Sequence, residues 1–307
     1  MRRVLLLVLA ACGGSNAPSD AGLRDAGADG GARDAGVPVD ADVAEDAGAF
    51  DAGDDTGTDA GVDAGVACEA PYPTNVDAPD APPFSGTAFV TNDLLRPSDP
   101  SSFVSLAYAG VGTRTMFDRR TASFGSVEAH LFDATFGVDT QVEIQVNPEF
   151  DRATAETHAR RYAEVIGRLP AFLFADLRTV WIHDGMELFG GGNQNLLIHT
   201  QQGDAYGDSL EEIFVHEGAH TSLDGVHAAS ARWLEAQAAD VSFISTYARD
   251  NPTREDVAES LGPYLAYRFG GDRVSAELRA QIQAAMPNRI RYFDCLGLSM
   301  DPLPTSR

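Results

Sequence analysis

Hydrophobic residues are spread unevenly along the chain, and their spacing divides it. Residues 4–11 form one short apolar run behind two arginines, aromatic and branched apolar residues almost vanish between 13 and 67, and from about 103 they return with regular periods. The runs 103–109 and 128–132 and the alternating QVEIQV at 141–146 predict strands. Ala155, Ala159, Tyr162, Ala163 and Ile166 then recur at helical spacing behind Asp151, a suitable N-cap, and Pro170 is expected to close that helix. Val180-Trp181-Ile182 predicts a short buried strand. Three glycines at 190–192 predict a hairpin turn leading into 195–200, because no lysine follows them as a phosphate loop requires. Asp208 and Glu211 have capping-box spacing at the head of a helix whose apolar side is Leu210, Ile213 and Phe214. Asn251-Pro252 predicts a further helix start, carrying Glu255, Val257, Glu259 and Leu261 until Pro263 kinks or ends it. Strands first, one helix among them, then helices: the pattern is that of an α+β fold.

The apolar-poor stretch changes the picture of the N-terminal part. It repeats DAG at irregular intervals, from Asp20, Asp25, Asp34, Asp46, Asp51, Asp59 and Asp63. Such a segment cannot bury enough surface to offset its chain entropy, so it is expected to form no packed structure. Residues 13–67 hold thirteen acidic and two basic side chains, nearly half of the formal charge of −24, and self-repulsion should extend them as a spacer. No basic patch occurs, which argues against a nucleic-acid partner. Ahead of the repeats, MRRVLLLVLAAC has the charged start, short apolar run and small residues of an export signal, too short to span a bilayer. Leu9-Ala10-Ala11-Cys12 resembles the lipobox of bacterial lipoproteins. That resemblance implies an acylated Cys12, membrane attachment through its lipid, and a place in the bacterial cell envelope, at the outer membrane. The expected division is a signal over 1–12, a linker over 13–83 and a folded domain over 84–307. In an exported chain the two remaining cysteines, Cys68 and Cys295, are expected to form a disulfide around that domain.

The candidate chemistry lies in FVHEGAHTSLDGVH, residues 214–227. His216 and His220 stand one helical turn apart and can ligate one Zn²⁺, while Glu217 beside them can act as a base on a bound water. Zinc in a catalytic site needs a third protein ligand and an open position. Asp224, His227 and Glu255 are the candidates. Asp224 lies two turns beyond His216. His227 resembles the last histidine of the metzincin pattern HExxHxxGxxH, although Gly225 comes two residues late and His227 one. Glu255 and Glu259 are one turn apart on the later helix.

HExxH followed by such a helix resembles the gluzincin branch of the zincin metallopeptidases. The order Tyr247, Glu255, Ala258-Glu259 is similar to the lethal-factor-type catalytic domain, over residues 195–267. The resemblance implies a zincin-like domain with a mixed sheet, an active-site helix and a following glutamate-bearing helix. It implies zinc held by His216, His220 and Glu255, Glu217 as general base, and Glu259 as partner of a ligand histidine. Tyr247 becomes a donor to the oxyanion, with His227 as a further candidate for that role, and 195–200 the edge strand that pairs with a peptide substrate. The expected activity is zinc-dependent endopeptidase cleavage of a peptide or protein. The other expectation is a non-catalytic surface lipoprotein that keeps zinc, or only the fold, to bind a wall component or protein partner. His130, His158, His183 and His199 show no partners in the sequence and are expected to be structural or exposed.

Overall fold

The structure, a computed structural model, describes Cys68 and residues 71–91, 93–137 and 140–303. The expected signal, Cys12 and the DAG repeats lie outside the described residues.

Two long strands open the fold, β1 (Phe103–Asp118) and β2 (Ser123–Phe136), paired as an antiparallel hairpin. β3 (Thr140–Val146) continues antiparallel to β2. A crossover through helix α1 (Arg152–Ile166) then brings in β4 (Thr179–His183), parallel to β3. β5 (Gly190–Gly192) and β6 (Asn195–His199) follow, and the sheet order is β1-β2-β3-β4-β6-β5. β6 pairs parallel with β4 on one side and antiparallel with β5 on the other, so β5 is the edge. The remaining elements are helical: α2 (Thr200–Tyr206), α3 (Leu210–Ser222), α4 (Asp224–His227), α5 (Ala231–Asp240), α6 (Thr246–Asp250), α7 (Asp256–Phe269), α8 (Ala276–Ala285) and α9 (Pro287–Asp294). The chain is thus an α+β fold with a mixed, open six-stranded sheet. Among the described residues no helix is long and apolar enough to cross a membrane.

Strand alternation sets the two faces. Val142, Ile144, Val146, Val180, Ile182, Leu196 and Ile198 point to one side and join the helices in the main core. On the other side Met116, Ala129 and Leu131 form a small cluster with Trp181. The far end of the β1–β2 hairpin curls over that face: Phe124 meets Trp181 edge-on, and Arg114 pairs with Glu143 at 2.7 Å. This hairpin end was not visible as strand in the sequence, because its residues alternate threonine, glycine and arginine with few apolar side chains.

Asp151 caps α1 as expected, its carboxylate accepting from the Thr154 N–H at 2.8 Å. The helix ends at Gly167, three residues before Pro170. The capping box at Asp208 does not form. Asp208 sits in a 3₁₀ turn before α3, Ser209 makes no side-chain cap bond, and Glu211 faces Arg168 at 3.3 Å. The helix expected from Pro252 starts later, at Asp256: in the gap the Arg254 and Glu255 N–H groups bond back to the Asn251 carbonyl, and α6 lies wholly before Asn251. Pro263 lies inside α7 without ending it.

The linker boundary at 83 is corrected. Tyr72 is buried, the Asn75 backbone N–H donates to the Ala239 carbonyl at 2.7 Å, and its side chain donates to the Ala284 carbonyl at 2.8 Å. Residues 71–83 are held by Tyr72 in the core and by hydrogen bonds of Pro73 and Asn75, single anchors that leave no periodic pattern in the composition. Cys68 and Cys295 are joined, Cα to Cα 5.5 Å, across 227 positions of sequence. Below them a fully buried ion network ties α9 to α5 and α7. The Arg289 Nε donates to Asp240 at 2.9 Å, another guanidinium nitrogen bonds Asp256, and Gln237 completes Asp256 at 2.9 Å.

Candidate metal centre

Helix α3 buries Leu210, Ile213, Phe214 and Val215 and carries Glu211 and Glu212 in its first turn, where the helix dipole favours them. That orientation leaves His216 and His220 on its other side, facing the entrance of α7. Their Nε2 atoms lie 3.1 Å apart. Glu255, the residue that precedes α7, brings its Oε2 to 3.5 Å from one ring nitrogen and 3.2 Å from the other. Ligand atoms of these three residues form the candidate metal group among the described residues.

Two observations test whether a metal fits. First, each histidine has a carboxylate at its far nitrogen: His220 Nδ1 lies 2.6 Å from Asp224 Oδ2, and His216 Nδ1 lies 3.5 Å from Glu259 Oε1. Carboxylates there keep the protons on Nδ1, so both Nε2 lone pairs and a carboxylate oxygen converge on one point. Without a cation at that point the arrangement is repulsive. Second, tetrahedral bonds of about 2.0–2.1 Å place ligand atoms about 3.3 Å from each other. The observed 3.1, 3.2 and 3.5 Å bracket that spacing. The donor set fits zinc.

The electrostatics agree. Burial opposes charge on His220, yet hydrogen bonds to Asp224 and Glu255 push it well above the ordinary imidazole range, and Glu255 does the same for His216. Burial would lift Glu255, but the two histidines hold it far below the usual carboxylate range. The site favours a positive charge at its centre.

Glu259 is fixed for its role. Its Oε2 accepts from Ser245 Oγ at 2.5 Å and from the Ala88 N–H at 2.8 Å, which leaves Oε1 for His216. Asp224 lies at the outer nitrogen of His220 and not in the triad. His227 lies outside the triad as well, with Nδ1 2.6 Å from the Tyr292 hydroxyl. α3 ends at Ser222, and Asp224 and His227 belong to the short helix α4 that follows it. Tyr247 does reach the site, its hydroxyl donating to Glu255 Oε1 at 3.1 Å. Burial and the Glu255 charge push its pKa up to about 12, so it remains a donor.

Glu217 is partly exposed, and its carboxylate makes no hydrogen bond or ion pair among the described residues. Its charge still acts on both His216 and His220. Its backbone touches the edge strand: a Cβ on Gly191 would fall 1.9 Å from the Glu217 carbonyl oxygen, so only glycine lets β5 lie against α3. Thr221, one turn on, inserts its hydroxyl into the end of the β5–β6 ladder. It accepts from the Gly192 N–H at 3.0 Å and donates to the Asn195 carbonyl at 2.9 Å. Over Asn195–Leu197 both sides of β6 are paired, with β4 and with β5, so the sheet edge there is β5 and not the expected 195–200. The glycines are themselves the edge, and the hairpin turn is Asn193-Gln194, both at positive φ.

Sequence reasoning missed a second cluster. His183 and His199, adjacent ends of parallel strands, are fully buried with ring centroids 5.5 Å apart. Asp118 at the hairpin tip lies 3.9 and 3.6 Å from them. Burial pushes His183 down to about 4; Arg120 overcomes burial at Asp118 and lowers it to about 2. The only sequence signal was their matched position, each at the end of its apolar strand.

Comparison with protein families, curated proteins and solved structures finds no match to the chain.

Proposed function

We propose that this domain is a zinc-dependent endopeptidase of zincin type, exported and lipid-anchored through Cys12. The observation that carries the reading is the convergence of His216, His220 and Glu255 on one point, with a free Glu217 carboxylate beside it and a free sheet edge alongside. His216, His220 and Glu255 would hold the metal, with one position left for water. Zinc bound there supplies a Lewis acid and lowers the pKa of its water to about 7. Glu217 takes the proton of the attacking water and passes it to the leaving amine. Tyr247 is the donor at hand for the developing oxyanion. Gly192 donates its N–H to the Thr221 hydroxyl, which in turn bonds the Asn195 carbonyl opposite on β6, so by strand alternation the Gly191 N–H and C=O face outward and can pair with an extended peptide. Asp224 and Glu259 hold the two rings in place.

The test uses the full chain purified with zinc present. Wild type should bind close to one zinc per chain and cleave peptides in a proteome-derived library. Glu217→Gln should keep the zinc and lose cleavage by roughly a thousandfold or more. Zinc retained with no cleavage by wild type would favour a non-catalytic zinc lipoprotein instead. A chain that binds no zinc would overturn both readings.

A further inference from the structure

The tip of the β1–β2 hairpin reaches the edge strand from the face opposite α3. A Cβ on Gly190 would lie 2.9 Å from Arg119 Nη2, whereas a Cβ on Gly191 would run into Glu217. The two faces of β5 are thereby assigned: α3 and Glu217 on one, the Arg119 guanidinium on the other. The neighbours of Arg119 are committed to structure. Asp118 and Arg120 pair at 2.7 Å, and Arg120 reaches Glu149 at 2.8 Å, fastening the tip over the sheet. Arg119 is exposed, and its guanidinium has no hydrogen bond or ion pair among the described residues. Glu187, three residues before Gly190, forms no pair with it. The charges of Arg119 and Glu217 both act on the Tyr206 hydroxyl, so the cation stands within electrostatic range of the candidate base.

An extended peptide added to the free edge of β5 alternates its side chains in phase with the strand. The residue opposite Gly191 turns toward α3, and its neighbour opposite Gly190 turns toward Arg119. Because Gly190 has no side chain, the space beside the guanidinium is left to the peptide. We infer that Arg119 is a specificity residue that binds a glutamate or aspartate side chain of the substrate, next in sequence to the residue facing Glu217. This inference rests on the peptidase reading for its substrate, but it can be measured apart from cleavage. A planar guanidinium suits a carboxylate well, and at an exposed site the preference is modest.

Fluorescein-labelled serine–alanine nonapeptides, each carrying one glutamate at a successive position, are titrated against the zinc-loaded full chain bearing Glu217→Gln, with glutamine peptides as controls. Arg119 is exposed and unpartnered, so Arg119→Gln and Arg119→Glu should fold as wild type. The glutamate peptides should bind about three- to fivefold tighter than their controls at a defined position. The difference should vanish with Arg119→Gln and invert toward lysine peptides with Arg119→Glu. Equal binding of glutamate and glutamine peptides, no binding of any peptide, or an acidic preference that survives Arg119→Glu overturns the inference. Acid-selective binding without cleavage by wild type would sink the peptidase reading and leave Arg119 as a peptide contact. Cleavage with no acidic preference would do the reverse.

Discussion

Gly191→Ala is the most informative small change in the molecule. The backbone at 191 is compatible with alanine, since its φ is not positive, so any effect is steric. The added methyl would sit 1.9 Å from the Glu217 carbonyl oxygen, 2.7 Å from its carbonyl carbon and 2.9 Å from its Cα. Contacts of this kind settle near 3.3 Å, so β5 and α3 must part by about 1.4 Å. All three atoms are backbone, and no side chain can rotate away. Overpacking of this sort costs about 1–3 kcal/mol, and the rigid neighbours place it at the upper end. For a domain of this size each kcal/mol lowers the Tm by about 2–4 °C, so a fall of about 6–10 °C is expected. Displacing a substrate-bearing strand by more than 1 Å should also lower kcat/KM by about 100-fold. Urea unfolding and peptide cleavage on the same preparations measure both. Gly262→Ala is the control: it sits in α7 with nothing within 4 Å of a new Cβ, and should stabilise by about 0.5–1 kcal/mol. If Gly191→Ala unfolds within 0.5 kcal/mol of wild type, the contact between edge and helix is not as described. If it is destabilised but cleaves at the wild-type rate, β5 does not hold the substrate.

Two further predictions concern the carboxylates around the site. Asp224→Asn should weaken zinc binding by about 10–100-fold in chelator competition while the fold persists, because His220 loses the group that orients it; an unchanged affinity would reject that role. Glu212 is buried with one oxygen on the Thr91 N–H and the other unpartnered, and burial pushes its pKa up to about 7 from an ordinary 4.5. Its folded pKa is the higher one, so the unfolded chain releases its proton first. This contribution is full below about pH 4.5, shrinks as pH rises to 7, and amounts to about 3 kcal/mol; wild type should lose that much relative to Glu212→Gln across the window, and parallel stability curves would exclude it.

The histidine pair and Glu217 were legible because one helix turn joins them, and a local rule suffices at four residues' spacing. Glu255 was open among three candidates, because whether Asp224 or His227 could return to the metal depends on where α3 stops. No cap marks that stop: Leu223 ends the helix with neither glycine nor proline. Asp224 follows His220 by one turn and sits at its outer nitrogen, a contact that spacing alone did not distinguish from a place in the triad. The edge strand was misplaced by one partner. Three glycines carry no hydrophobic period, and the identity of β5 comes from its fit against α3, which no local pattern records. His183, His199 and Asp118 were invisible for the same reason: long-range register brings them together. The alternating stretch at 141–146 and the apolar face of α1 were read well, because each buries one complete face.

The buried guanidinium of Arg289 has a consequence for the order in which the molecule is assembled. Asp256 directly follows Glu255, and Asp256 and Asp240 depend for their countercharge on Arg289, 33 and 49 residues downstream of them. Breaking such a buried set costs about 3–5 kcal/mol, so the start of α7 cannot settle while Arg289 is missing. A chain emerging from its N-terminus presents His216 and His220 about seventy residues before Arg289, the residue that steadies the start of α7 beside Glu255. Settling of the start of α7 is thereby postponed until Arg289 has been added, and a chain that stops short of it leaves Asp240 and Asp256 without their countercharge.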